Sequence, residues 1–284
     1  MRRNISCILV ATVALVLSGC GSKSDRAYDY EYYGLNTPVK SVKVTTYDAE
    51  SKFGDVVKGD LAREGHYVAK FNDVGNLTSV ASYDDDGELR GMDKYKYNGH
   101  DMLVEMSSYD DEGELNYQFV YEYDGERVAT MTQANYWNDT EDVTRYDHTW
   151  DGEQLVAVDV VAGGTLVSRT KFSQNDDSGS KWVTYDGDGN EVSRGSEQLK
   201  DGRIVKRTEG DHSIEVRWND KKLPTYLKNA YLHHNALISW YYGDKEYSYY
   251  IEYEYDDSGN WVKQTIFEGE MRRPVSISER VITY

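Results

Sequence analysis

Cysteine is nearly absent: Cys7 and Cys20 are the only two, and none follows residue 20. A body built from the rest of the chain has no disulfide, thiol nucleophile or cysteine-ligated zinc. Proline is as scarce, with Pro38, Pro224 and Pro274 alone, each at an expected strand boundary or turn. The longest apolar stretch, residues 8–17, is too short to cross a membrane as a helix. From residue 38 onward no amphipathic helical period is found. Positive charge is in deficit. The formal net charge is −18, and loss of Arg2 and Arg3 with a cleaved leader takes it to about −20. That balance argues against nucleic acid as a partner, because phosphates need Lys and Arg. It also argues against a broad electrostatic seat on anionic lipid. Hydrophobic residues reach only 39%, low for a thick apolar centre.

Tyrosine is abundant, with 26 against five phenylalanines. Its ring packs while its hydroxyl reaches water, which suits a thin structure. The tyrosines recur with a period. Tyr83-Asp84-Asp85-Asp86-Gly87 returns as Tyr109-Asp110-Asp111-Glu112-Gly113, 26 residues on. A second phrase runs through Phe71-Asn72, Tyr97-Asn98 and Tyr123-Asp124 at the same step, so the gaps alternate between 12 and 14. A fixed period of this kind specifies a repeat architecture.

Between these phrases apolar residues alternate at period two. Leu115, Tyr117, Phe119, Tyr121 and Tyr123 fall on one face, opposite Glu114, Asn116, Gln118 and Glu122. The same pattern places Tyr249, Ile251 and Tyr253 opposite Glu252 and Glu254. One covered and one solvated face is the signature of an antiparallel sheet. The Asp/Gly clusters are its turns. Asp124-Gly125 and Asp151-Gly152 have the form of type I′ hairpins. The expected fold is all-β: a long antiparallel hairpin meander of roughly 15 to 18 strands, in one elongated repeat domain.

Two resemblances refine this. Basic Arg2-Arg3, the apolar residues 8–17 and Leu17-Ser18-Gly19-Cys20 resemble a bacterial lipoprotein signal with its lipobox. The resemblance implies cleavage before Cys20 and a lipid on its thiol. It divides the chain into a signal peptide (1–19), a lipidated cysteine and tether (20–37) and a β-repeat domain (38–284). The absence of Asp beside Cys20 favours the outer membrane under the family's sorting pattern. The aromatic-Asp-x-x-Gly units, clearest in Tyr255-Asp256-Asp257-Ser258-Gly259-Asn260-Trp261, resemble YD (RHS) repeats. That resemblance implies a hairpin array coiled into a curved or spiral sheet.

Few residues point to chemistry. Asp186, Asp188, Asn190 and Glu197 have the spacing of calcium-loop ligands, but Glu191 stands where such a loop needs glycine, and turn chemistry explains the acids. Of six histidines only His233 and His234 are adjacent, and strand neighbours face opposite ways. No metal site, cofactor or catalytic set is expected; nucleophile-elbow, phosphate-loop and dinucleotide fingerprints are missing. Tyr136, Trp137, Tyr241 and Tyr242 are the aromatics least explained by packing, and form the candidate recognition patch. The sequence reads as a lipid-anchored, non-enzymatic envelope scaffold or recognition module for glycan or protein. The alternatives are a polysaccharide-acting enzyme and a periplasmic envelope-assembly factor.

Overall fold

The computed structural model describes residues 29–137, 140–233, 237–240 and 247–284. A one-turn helix, α1 (Asp29–Tyr32), precedes the strands. In chain order these are β1 (Ser41–Lys52), β2 (Asp55–Leu61), β3 (His66–Phe71), β4 (Leu77–Tyr83), β5 (Leu89–Tyr97), β6 (Leu103–Asp110) and β7 (Leu115–Asp124). Next come β8 (Arg127–Trp137), β9 (Thr140–Asp151), β10 (Gln154–Ala162), β11 (Thr165–Asp176), β12 (Gly179–Asp186), β13 (Glu191–Lys200) and β14 (Arg203–Glu209). The last are β15 (His212–Trp218), β16 (Pro224–Lys228), β17 (Ala230–His233), β18 (Leu237–Trp240), β19 (Ser248–Tyr255), β20 (Trp261–Glu268) and β21 (Arg273–Thr283).

Neighbours in sequence pair antiparallel almost throughout, as the meander requires. Two non-local ladders complete the wall. β1 pairs with β21 from Ser41–Thr283 to Asp48–Ser276, and takes β3 on its other edge. β16 pairs with β19, which leaves β17 and β18 as a separate hairpin in the connection between them. β1, β3 to β16 and β19 to β21 therefore form a closed ring of 18 strands. This corrects the expected open, elongated curved or spiral sheet. Closure removes the two bare edges that such a sheet would expose. β2 lies outside the ring. It pairs with the second half of β1, and most of its residues are exposed.

One turn recurs around the ring. At Asn72, Asp84, Asn98, Asp110, Asp186 and Asn219 the residue's side-chain oxygen accepts the amides two and four positions on. Asp256 makes the second of these bonds, to Asn260. The fourth residue of each turn takes positive φ. Glycine supplies it at Gly75, Gly87, Gly113, Gly189 and Gly259, whereas Asp101 and Lys222 adopt it as non-glycines. The Asp-Gly hairpins differ from expectation by one position. Asp124 and Asp151 end their strands, paired with Arg127 and Gln154, so each loop is Gly-Glu with only the glycine at positive φ. That is the type II′ pattern. Asp201-Gly202 does place both residues at positive φ.

The two sequence phrases belong to the two ends of the barrel. Turns after Phe71, Tyr97 and Tyr123 lie at the rim where α1 packs; those after Tyr83 and Tyr109 lie at the far rim. At the first rim the aromatics also tie strands together. Tyr97 Oη donates to Leu77 O at 2.8 Å, Tyr123 Oη to Leu103 O at 2.7 Å and Trp150 Nε1 to Val128 O at 2.8 Å. A tip that must reach a carbonyl at the start of the preceding strand explains why Tyr or Trp recurs there. At the far rim Tyr109 lies outside, with Lys94 Nζ 4.4 Å from its ring centre.

No second layer covers the described sheet, so its shielded face is the inside of the ring. Val42 and Val44 are buried while Lys43 between them is exposed. Tyr121, Met131, Tyr146 and Val160 stand opposite one another across β7 to β10 on this inner face. The outer face is charged. Lys96–Glu105, Arg145–Asp147, Arg169–Asp159 and Lys263–Glu254 pair across or along the strands there. Exposed ion pairs contribute little stability. They do define the solvent: a lipid-facing wall is an apolar band, and each buried Lys or Arg would cost about 2–4 kcal/mol at mid-bilayer. This wall is built to stand in water.

Candidate functional site

One side of the first rim is covered by the chain itself. The stretch expected to be tether is docked from Asp29 onward. Asp29 Oδ2 accepts from Leu77 N at 2.8 Å and, with Oη 2.6 Å away, shares the single Tyr97 hydroxyl proton with Leu77 O. Tyr33 is buried edge-on against Tyr67 and Phe71. Leu35 and Val39 join the same cluster with Val42, Val44 and Trp261. Arg280 of β21 reaches into it. Its guanidinium donates to Trp261 O, to Tyr33 O at 2.6 Å and to Gly34 O at 3.1 Å. It also lies 3.9 Å from the Trp261 ring centre. Burial pulls the Arg280 pKa down to about 10, so the group stays cationic at neutral pH. Asn260 closes the ring's seam. It accepts from Asn36 N at 2.9 Å and donates to Tyr284 Oη at 2.9 Å. The segment 29–39 is thus a plug joined to both ends of the barrel's chain.

Further along, the inner wall carries polar groups. Trp182, Gly195 and Glu209 stand in one row across β12 to β14; Ser180, Glu197 and Arg207 stand in the next inward row. Gly195 lets Trp182 lie flat, since a Cβ there would come within 2.3 Å of the indole. Arg207, only 5% exposed, stacks 5.1 Å from the Trp182 ring centre, with Glu197 Oε2 at 4.0 Å. Burial pushes the Glu197 and Glu209 carboxyls up, and Arg207 only partly offsets it. A second polar region is a cleft of about 250 Å³ on β4 to β7, where Asp93, Ser108, Asn116 and Tyr117 are among the lining groups. The inner tyrosines are neutral donors: burial lifts Tyr121 to about 12 and raises Tyr95 and Tyr253 further. Aromatic faces beside hydroxyls, amides and carboxylates suit a polar, ring-bearing ligand.

The raised carboxyls carry a sign. Between the ordinary carboxylate value and the raised one, the folded state binds protons that the unfolded chain has released. Their stabilising contribution is full below the ordinary value and is lost as pH rises through the raised one. Glu209→Gln is therefore expected to raise the urea midpoint at pH 7 and to leave it nearly unchanged at pH 4. A lower midpoint at pH 7 would mean that attraction to Arg207 outweighs desolvation.

Of the candidate recognition residues read from sequence, Tyr136 and Trp137 are among the described residues. Tyr136 is the last residue but one of β8, at the far rim, its hydroxyl 3.4 Å from Glu141 Oε1 across the hairpin. Trp137 is paired with Thr140 beside it. Tyr241 and Tyr242 lie outside the described residues, as do Cys20 and His234. The calcium spacing also dissolves. Asp186 Oδ1 is occupied by the amides of Asp188 and Asn190, and Glu197 lies six residues up β13, about 20 Å at strand rise. Among the described residues no group of three His, Cys, Asp or Glu is placed to hold a metal ion. Sequence reasoning missed Arg280, Arg207 and the plug. An isolated arginine at period two reads as solvent-facing, and only the closed ring turns it inward.

No family model matches the chain, and no curated protein matches it. Solved structures do. A porin-like protein from Bacteroides uniformis aligns at 11% identity and TM-score 0.40, over 87% of this chain and 97% of that one. A porin-like protein from Bacteroides vulgatus aligns at 12% identity and TM-score 0.28, over 87% and 99%.

Proposed function

We propose that this protein is a lipid-anchored, non-enzymatic recognition module of the bacterial cell envelope. The anchor is Cys20, in keeping with the lipobox-like Leu17-Ser18-Gly19-Cys20, and the outer membrane is its seat. The barrel stands in water beside that membrane and is not threaded through it. The observation that carries this reading is the pairing of a charged outer wall with an inner wall of tyrosine, tryptophan and hydrogen-bonding groups. The hairpin grammar, similar to YD repeats, supplies the scaffold on which such surfaces are displayed. The ligand is a glycan or an envelope protein.

A binding screen of the full chain, purified in detergent, against glycan and envelope-protein arrays tests this. Saturable capture of a defined ligand supports it. Turnover of a polysaccharide that a single Glu197→Gln or Glu209→Gln change abolishes would replace it with the enzyme reading. Metabolic labelling with a fatty acid, lost in Cys20→Ala, tests the anchor separately.

A further inference from the structure

On the outer wall one row departs from the ion-pair pattern. Arg217, Tyr226, Tyr250 and Phe267 stand directly opposite one another on β15, β16, β19 and β20. Their sequence neighbours Val216, Leu227, Ile251 and Ile266 belong to the inner core, so Arg217, Tyr226 and Tyr250 face out, while Phe267 at the end of the row is buried, 8% exposed. The Tyr226 and Tyr250 ring centres are 5.2 Å apart. The Arg217 guanidinium lies 4.5 Å from the Tyr226 ring centre. Arg272, from the turn between β20 and β21, lies 4.9 Å from Tyr250 and 6.0 Å from Phe267. Two part-exposed rings are thus bracketed by two cations in a strongly acidic chain. Nearby charges are mixed. Arg272 donates to Glu252 at 2.6 Å, and Glu215 faces Lys228 one outer row away. Arg217 is exposed and has no ion pair among the described residues.

We propose that this row binds carboxylate-bearing sugar residues of a polysaccharide laid across β15 to β20; it rests on the recognition reading above and names its site and ligand class. An aromatic face takes the C–H face of a pyranose, and the adjoining guanidinium forks the sugar's carboxylate in two parallel hydrogen bonds. Lysine at the same place would give a point charge without that fork. The distant acids do not forbid the approach: at physiological salt, charges beyond about 8 Å are largely screened.

The test is affinity electrophoresis of the full chain in detergent, in gels holding polygalacturonate or its neutral methyl ester. Retardation by the acid form alone is expected, weakened at least ten-fold in Tyr226→Ala and in Arg217→Gln. Arg217→Gln alters an exposed side chain, so it carries the test if Tyr226→Ala loses its β-sheet circular dichroism. An unretarded wild-type chain, equal retardation by the ester, or unaffected variants would each overturn the site. Capture of another glycan or protein in the array screen, with these variants binding as wild type, would leave the recognition reading standing and remove this row from it.

Discussion

Trp261→Ala is expected to lower stability by about 3–5 kcal/mol, the range for emptying a fully buried large aromatic. Trp261 is 0% exposed and is the residue on which the plug and the wall converge. A Cβ at Gly34 would sit 3.2 Å from its Cδ1, so the plug's backbone rests directly on the indole. Tyr253 packs from β19 at 6.2 Å, and Arg280 covers the other side. Alanine would leave a cavity bounded by backbone and by a guanidinium, neither of which can collapse into it. The indole Nε1 has no hydrogen-bond partner although it is buried. Trp261→Phe removes that orphaned donor along with some volume. It is therefore expected to cost less than half as much as alanine. Urea titrations followed by circular dichroism compare the three proteins. Equal losses for alanine and phenylalanine would overturn the argument that filled volume sets the cost.

The position of Trp261 shows how far the sequence could be read. Its turn was plain, since Asp256 to Gly259 obeys the same grammar as six other corners. The strand before it, β19, was plain too, because Tyr249, Ile251 and Tyr253 recur at period two, opposite Glu252 and Glu254, and do face inward. Local rules were enough because each corner is satisfied by its own side chain, within five residues. Closure is of another kind. Val42 meets Ile282 and Val44 meets Arg280, pairs about as far apart as the chain allows. Nothing in Ser41–Asp48 marks it as the partner of Ser276–Thr283, since any alternating strand would fit. The plug was hidden for a related reason. Asp29-Tyr30-Glu31-Tyr32 is too short for a helical period to register, and it is ordered by Gly75, Leu77 and Tyr97. The outer row was hidden in plain view. Tyr226 and Tyr250 look like ordinary strand tyrosines until register sets them side by side between Arg217 and Arg272.

Arg280→Ala should release the plug while the barrel stays closed, and this separates two roles that the fold joins. The wall of β21 is held by its ladders to β1 and β20, none of which uses the Arg280 side chain. The plug, by contrast, meets that guanidinium through Tyr33 O and Gly34 O. Each charge-assisted bond contributes roughly 1.5–3 kcal/mol, and carbonyls left buried without donors add to the loss. Water re-entering at the rim recovers part, so a loss on the order of 3–5 kcal/mol in plug docking is expected. Arg280→Lys should recover little. A single ammonium on a flexible stem cannot reach Trp261 O, Tyr33 O and Gly34 O together, as the planar fork does. Limited chymotrypsin digestion reads this directly, because docked Tyr33 and Leu35 are protected in the wild type by burial. Rapid cleavage there in Arg280→Ala, with the β-sheet spectrum unchanged, is the expected result. Protection equal to wild type would mean that Asp29, Asn36 and the apolar contacts of Tyr33 and Leu35 hold the plug without the cation. Loss of the sheet spectrum along with cleavage would mean that the plug is part of the barrel's core and not an occupant of its mouth.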